Sequence, residues 1–179
     1  MNGTLERLRR LRASVVTIGA FDGVHRGHQA IIQVALQRAR ELEVPAVAVT
    51  FDRHPQQALQ PEDAPPLLTS LTTRLRLLLE TGLRDVLVLR FDADFAQLSA
   101  EAFLQFILQG HLNARYIVVG RDFRFGHRRQ GSVDYLYEVR GRFGFEVEAV
   151  PDVLQGGERI SSSRIRRALR EGEVRQAAA

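Results

Sequence analysis

The stretch Val16-Thr-Ile-Gly-Ala-Phe-Asp-Gly-Val-His-Arg-Gly-His-Gln-Ala-Ile-Ile-Gln33 decides how this chain is read. It leaves an apolar run, turns between Gly19 and Gly23, and sets His25 and His28 three residues apart where a helix is due to begin. Glycines allow a tight turn and a close approach of backbone to a ligand. A strand that turns into a helix start presents free N–H groups and the positive end of the helix dipole, which together favour a phosphate. Residues three apart lie on one side of a helix. Both imidazoles can then donate to phosphate oxygens and stabilise charge that builds during phosphoryl transfer. Two other readings stand beside this one, a two-histidine metal site and ordinary surface or capping histidines. Zinc sites of that kind use i, i+4 spacing on an established helix with a carboxylate nearby, which this turn does not match. The dinucleotide fingerprint leaves the pyrophosphate to backbone alone. Its acidic residue after the second strand has a weak counterpart in Asp52.

Outward from this turn, apolar runs alternate with helical patterns. The runs are Ser14–Gly19, Ala46–Phe51, Asp85–Phe91, Tyr116–Gly120 and Phe145–Val150. Helical spacing follows over Ala30–Leu42, Thr72–Thr81, a segment capped by Ser99 with Glu101 in its first turn, Val133–Arg140 and Ser163–Arg170. The stretch Pro55–Pro66, rich in Pro, Gln and Asp, reads as a loop. Five alternations predict an α/β fold, a Rossmann-like doubly wound parallel sheet of about five strands. In such folds ligands bind beyond the carboxyl ends of the strands, near the point where strand order reverses.

Length and composition set the outer limits. A chain of 179 residues predicts one domain over residues 1–179. Without an apolar run of about 18 residues no membrane span is expected. Asn2–Arg12 carries four arginines but no apolar stretch or cleavage site follows, so the expected location is cytoplasmic. Zero cysteines exclude disulfides and thiolate metal sites. All 25 basic residues are arginine, so a bound anion must be met by Arg, His or backbone N–H. Arginine's planar fork grips two phosphate oxygens at once. A net charge of +4 is too small for a nucleic-acid binder, and no nucleic-acid partner is expected.

The other strand ends carry chemistry too. The second ends in Thr50-Phe-Asp-Arg-His-Pro55. The fourth ends in Gly120-Arg-Asp-Phe-Arg-Phe-Gly-His-Arg-Arg-Gln-Gly131, where two aromatics and four arginines interleave. Such a loop suits single-stranded nucleic acid, or one flat ring and one phosphate, or a solvated basic loop with Phe123 and Phe125 tucked into the core. After the fifth comes Ile160-Ser-Ser-Ser-Arg-Ile-Arg-Arg167, a serine-capped helix start loaded with arginines. Positive charge there opposes the helix dipole, and a bound anion reverses that penalty.

H-x-G-H after the first strand, with Ser-Ser-Ser-x-Ile-Arg near the end, resembles the nucleotidylyltransferase superfamily. More narrowly, Gly19–His28, Thr50–Pro55, Val119–Gly126 and Ile160–Arg166 together resemble the FAD synthetase (FMN adenylyltransferase) domain of prokaryotic bifunctional riboflavin kinase/FAD synthetases, in family order. The resemblance implies ATP and FMN as substrates, Mg²⁺ as cofactor, and FAD and pyrophosphate as products. It implies catalytic roles for His25, His28 and Arg166. Gly19, Phe21, Asp22, Gly23, Ser161 and Ser162 would join them in binding ATP, with Ser161, Ser162 and Arg166 closing over the β- and γ-phosphates. His54, Pro55, Asp122, Phe123 and Phe125 would lie towards FMN. The metal would be held mainly by phosphates and water, with Asp22 or Asp122 as a possible carboxylate ligand. Arg53 stands where the family often has Pro, and Ser163 where Thr is common. The family continues into a riboflavin kinase domain where this chain stops at Ala179, so the expectation is a chain without kinase activity. A related transferase with another phosphate-ester or acid acceptor, or a non-catalytic flavin or nucleotide-binding module, remains the alternative.

Overall fold

The structure, a computed structural model, describes residues 11–178; the arginine-rich Asn2–Arg12 stretch lies outside the described residues as far as Arg10. Its strands in chain order are β1 (Ser14–Ile18), β2 (Ala46–Phe51), β3 (Asp85–Leu89), β4 (Ala114–Gly120), the two-residue pair β5 (Arg124–Phe125) and β6 (Gly131–Ser132), and β7 (Glu146–Val150). A short hairpin follows, β8 (Leu154–Gln155) with β9 (Glu158–Arg159). The main sheet has the order β3-β2-β1-β4-β7 and every pairing in it is parallel. All five residues of β1 are buried, as a central strand covered on both faces requires.

Alternation along the strands feeds two cores. Val16, Ile18, Val49, Ile117 and Val119 point to one face. They meet α5 (Ala100–Phe103), its π-helical continuation Leu104–Gln109, and α6 (Val133–Phe143) through Phe103, Leu104, Leu108 and Leu136. Val15, Ala46, Ala48 and Val118 point the other way. There they meet α1 (Arg26–Glu41) and α3 (Leu71–Glu80) through Ile32, Ala35 and Leu78. The sheet is therefore doubly wound, as its alternating pattern predicts. The remaining helices are α2 (Pro55–Leu59), α4 (Ala93–Ala96), α7 (Ser162–Arg170) and α8 (Val174–Ala178).

Local chemistry explains where the boundaries shift. Pro55–Pro66 is not a plain loop: it holds α2 and a 3₁₀ turn, Pro61–Asp63. His54 starts α2 with a capping box, its ring accepting from the Gln56 amide at 3.2 Å while the Gln57 side chain accepts from the His54 amide at 3.1 Å. Strand β3 stops at Leu89 rather than Phe91. Helix α6 runs on to Phe143, where Gly144 at φ 70° ends it in left-handed conformation.

Strand order reverses between β1 and β4. The carboxyl ends of these two strands, and the turns that follow, are where a ligand site belongs.

Candidate active site

A cavity of about 290 Å³ opens at that edge. Ile18 and Gly19 end β1 on one side of it, and Gly120, Asp122 and Phe123 follow β4 on the other. His25 and His28 line its floor at the start of α1, and Ser161, Ser162 and His54 close the rim.

The two imidazoles stack, with ring centroids 3.6 Å apart and planes 16° from parallel. His25 is also the N-cap of α1: its Nδ1 accepts from the His28 amide at 3.3 Å. The capping reading thus holds for His25. An Nδ1 that accepts leaves the proton on Nε2, so His25 keeps one donor for a ligand. Burial, reinforced by the positive charge of Arg159, lowers the His25 pKa from 6.5 to about 4. His28 is held well below 6.5 by burial, then by His25 and Arg159. At neutral pH the pair offers neutral N–H donors rather than two cations.

The glycine of H-x-G-H has a steric reason. A Cβ on Gly27 would lie 3.2 Å from the carbonyl oxygen of Ile160 and 3.2 Å from the His25 ring. A glycine lets the lead-in to α7 pack against the first turn of α1 without a tight Cβ contact. Ser162 strengthens that contact, donating to the Asp22 carbonyl at 2.9 Å, while Ser161 caps α7 by accepting from the Arg164 amide at 3.2 Å. The serine segment and the histidine turn form one unit.

Asp22 is the centre of that unit. It is 2% exposed, and its carboxylate accepts from the Leu68 amide at 3.0 Å, the Thr69 amide at 3.0 Å, the Thr69 hydroxyl at 3.2 Å and Arg166 Nη2 at 2.5 Å. Burial alone would raise its pKa. The hydrogen bonds from Leu68, Thr69 and Arg166 outweigh burial and hold it below 3.8. Arg166 is 7% exposed and uses its remaining reach on the Pro66 carbonyl, with Nε at 2.7 Å. It borders the cavity, with Nη2 of its fork turned onto Asp22.

The other expected residues divide. Asp122 sits at the mouth of the cleft with a 58% exposed side chain, joined to Arg159 at 2.7 Å. Arg159 also reaches Asp152 at 3.0 Å, so β9 is fastened across the opening. Phe123 lines the cavity, whereas Phe125 is 8% exposed in the core beside Phe103 and stacked on Phe123 with centroids 5.3 Å apart. Of the two rings, Phe123 borders the cavity and Phe125 lies in the core behind it. Pro55 is the first residue of α2, behind His54; Phe21 is 1% exposed yet lines the cavity, and half-buried Gly23 donates its amide to the Thr69 hydroxyl at 3.1 Å. Arg159 was not singled out by the sequence pattern. Its signal was its place two residues before the serine run.

Sheet order and the H-x-G-H helix start define the class first, a Rossmann-like α/β chain of the nucleotidylyltransferase type. The comparisons then give the particular family. This chain belongs to the FAD synthetase family, whose sequence model matches residues 8–164. The bifunctional riboflavin kinase/FMN adenylyltransferase of Escherichia coli K12 is 39% identical over 160 residues, covering 89% of this chain and 51% of that protein. The putative bifunctional protein of Geobacillus thermodenitrificans is 41% identical over 167 residues, covering 93% of this chain and 88% of its own length. A crystal structure described as a macrolide-efflux protein from Streptococcus pneumoniae superposes with a TM-score of 0.87 at 34% identity, covering 97% of this chain and 56% of that one. Apart from the Geobacillus protein, the chain spans about half the length of the relatives named here. Among the described residues no helix is long and apolar enough to cross a membrane.

Proposed function

We propose that the chain transfers AMP from ATP to FMN, giving FAD and pyrophosphate. The observation that carries this reading is the stacked, neutral His25–His28 pair at the start of α1, in one cleft with the serine-capped start of α7 and with His54, Asp122 and Phe123. An oxygen of the FMN phosphate attacks the α-phosphorus. The bond from that phosphorus to the bridging oxygen breaks, and its electron pair leaves with pyrophosphate. The nucleophile is already an anion, so no general base is needed. Alignment of two polyanions and stabilisation of the charge that moves onto pyrophosphate supply the rate. His25 Nε2 and the His28 ring are the donors aimed at that charge, and the amides at the start of α7 favour the far phosphates. Phe123 offers a face for the flat ring of the acceptor.

Mg²⁺ would enter with ATP and neutralise its phosphates. An ion of this kind would be held chiefly by phosphate and water. Of the two carboxylates considered, Asp22 has its oxygens occupied, and Asp122 at the mouth is the one that fits. The cytoplasm, where ATP is kept, is the setting this reading implies.

Incubation with ATP, Mg²⁺ and FMN, followed by chromatography, tests the proposal. The expected result is FAD and pyrophosphate in equal amounts. Product from another phosphate ester but none from FMN would move the acceptor, and FMN binding without turnover would make the chain a flavin-binding module.

A further inference from the structure

Arg74 is 1% exposed, and no charged residue among those described is more deeply buried. It lies on α3, whose other arginine, Arg76, is solvated and paired with Glu80. Its guanidinium has no ion pair among the described residues. Nη1 donates to the Ala20 carbonyl at 2.9 Å, Nη2 donates to the Phe51 carbonyl at 2.6 Å, and Nε is buried without a partner. Burial opposes its charge, with Asp22 and Asp52 as the carboxylates that offset this from farther away. A well-packed apolar side chain commonly matches or betters a buried charge for stability. Stability alone therefore does not account for an arginine here.

The two carbonyls do. Ala20 and Phe51 stand where the ladders of adjacent parallel strands run out: the Gly19 amide makes the last bond to β2, and the Asp52 amide the last to β3. Buried carbonyls past the end of a ladder need donors. The hydroxyl of Thr50 gives Ala20 a second one at 3.1 Å. One planar fork serves both strand ends at a fixed separation, which a single-point ammonium does not. Each carbonyl also begins a segment of the candidate site. Ala20 leads through Phe21 (φ 50°) and Val24 (φ 40°), both left-handed without being glycine, to His25. Such backbone persists only where its surroundings hold it. Phe51 leads through Asp52 and Arg53 to His54.

We infer that Arg74 is a positioning residue for the proposed transfer: its fork fixes the span between the turn that carries His25 and His28 and the segment that carries His54. It touches neither nucleotide nor flavin and acts through the backbone. The inference rests on the adenylyl-transfer reading for its kinetic consequence, and on the geometry alone for its structural one.

Two substitutions test it, Arg74→Met and Arg74→Lys, each assayed well below its own melting temperature with saturating ATP, FMN and Mg²⁺. Displacement of catalytic groups by about 1 Å costs about 10²-fold in rate. Arg74→Met should therefore lose about 10²-fold in kcat with both KM values within about threefold. Arg74→Lys should recover about tenfold of that loss, since it restores a donor but not the fork. Hydrogen exchange read by mass spectrometry supplies an arm that needs no activity. In Arg74→Met, exchange should rise in Phe21–Val24 and Asp52–His54 while the amides of β3 and of α6 stay protected, and Arg74→Lys should partly reverse this. A folded Arg74→Met enzyme with unchanged kcat overturns the inference. So does equal loss in both variants with exchange raised uniformly over the whole chain, which marks a plain stabilising contact. If the parent chain forms no FAD, the transferase reading fails, and the exchange pattern alone decides for or against the clamp.

Discussion

Replacing Asp22 by Asn tests the arrangement on which the candidate site stands. The substitution keeps shape and one acceptor oxygen but removes the charge and puts an NH₂ among donors. Those donors are the Leu68 and Thr69 amides, the Thr69 hydroxyl and the Arg166 guanidinium, all within 3.2 Å of the carboxylate. Arg166 is then left buried with the Pro66 carbonyl as its one remaining partner. Breaking a buried ion pair by removing one member costs about 3–5 kcal/mol. For a chain of this size about 1 kcal/mol moves the melting temperature by about 2–4 °C, so Asp22→Asn should melt about 6–20 °C below the parent. The reverse deletion is milder. Arg166→Met leaves Asp22 with its three other donors and forfeits one charge-assisted bond, about 2 kcal/mol. The double variant should then be less unstable than the two losses added together. Chemical denaturation of the four proteins gives the comparison. Asp22→Asn unfolding within about 1 kcal/mol of the parent, or the two single losses adding without coupling, would refute the reasoning and return Arg166 to a direct role on phosphate.

His28→Ala should lower FAD formation by about 10²–10³-fold with little change in melting temperature, as loss of one transition-state donor does; unchanged turnover removes His28 from the chemistry. His25, held neutral in the fold with its pKa at about 4, binds its proton more readily when unfolded. Its contribution is therefore complete above pH 6.5 and is lost as pH falls from 6.5 towards 4, amounting to about 2 kcal/mol for a ring partly open to solvent. Denaturation at pH 7, 6 and 5 should show stability falling over that span, and a flat profile, or an imidazole resonance titrating near 6.5, would contradict it. Gly27→Ala should lose activity and about 1–3 kcal/mol of stability, because its Cβ meets the Ile160 carbonyl, part of a backbone that cannot rotate aside. A fully active, equally stable Gly27→Ala protein would show that α1 and α7 need not touch this closely.

Most of the sheet was legible because its signal is local and repeated. Five short β-branched runs separated by helical spacing have few solutions other than a parallel sheet covered on both faces, and each run became a strand. Ser99 was legible as the cap of α5, and the serine run marked the start of α7, although the helix begins at Ser162 rather than the expected Ser163. Helix α2 was missed because its cap is a histidine and its box partner a glutamine, in a segment whose prolines read as loop. The β8–β9 hairpin was missed because two-residue strands carry no periodicity. Its register is held by Arg159, which pairs with carboxylates 37 and 7 residues back in the chain.

The site was legible in its parts and opaque in its wiring, and the arginines make the reason plain. In a chain whose basic residues are all arginine, residue type cannot separate a guanidinium that meets a ligand from one that braces the backbone. Arg166 follows three serines at a helix start and looks, in one dimension, like a phosphate ligand. Whether it points outward depends on Asp22, 144 residues earlier, whose other partners lie in a loop at Leu68 and Thr69. For Arg74 the signal lies in the sequence: it falls three residues after Leu71 and four before Leu78, on the stripe that α3 turns towards the sheet. A charge on the apolar stripe of an amphipathic helix is the mark of a buried polar task. Pattern alone does not say which carbonyls it serves, because those sit at the ends of two other strands. Arg166 and Arg74 use the same device: the proposed ligand groups His25, His28 and His54 stand at turns, and a buried guanidinium braces those turns from behind, Arg166 through Asp22 and Arg74 through the Ala20 and Phe51 carbonyls.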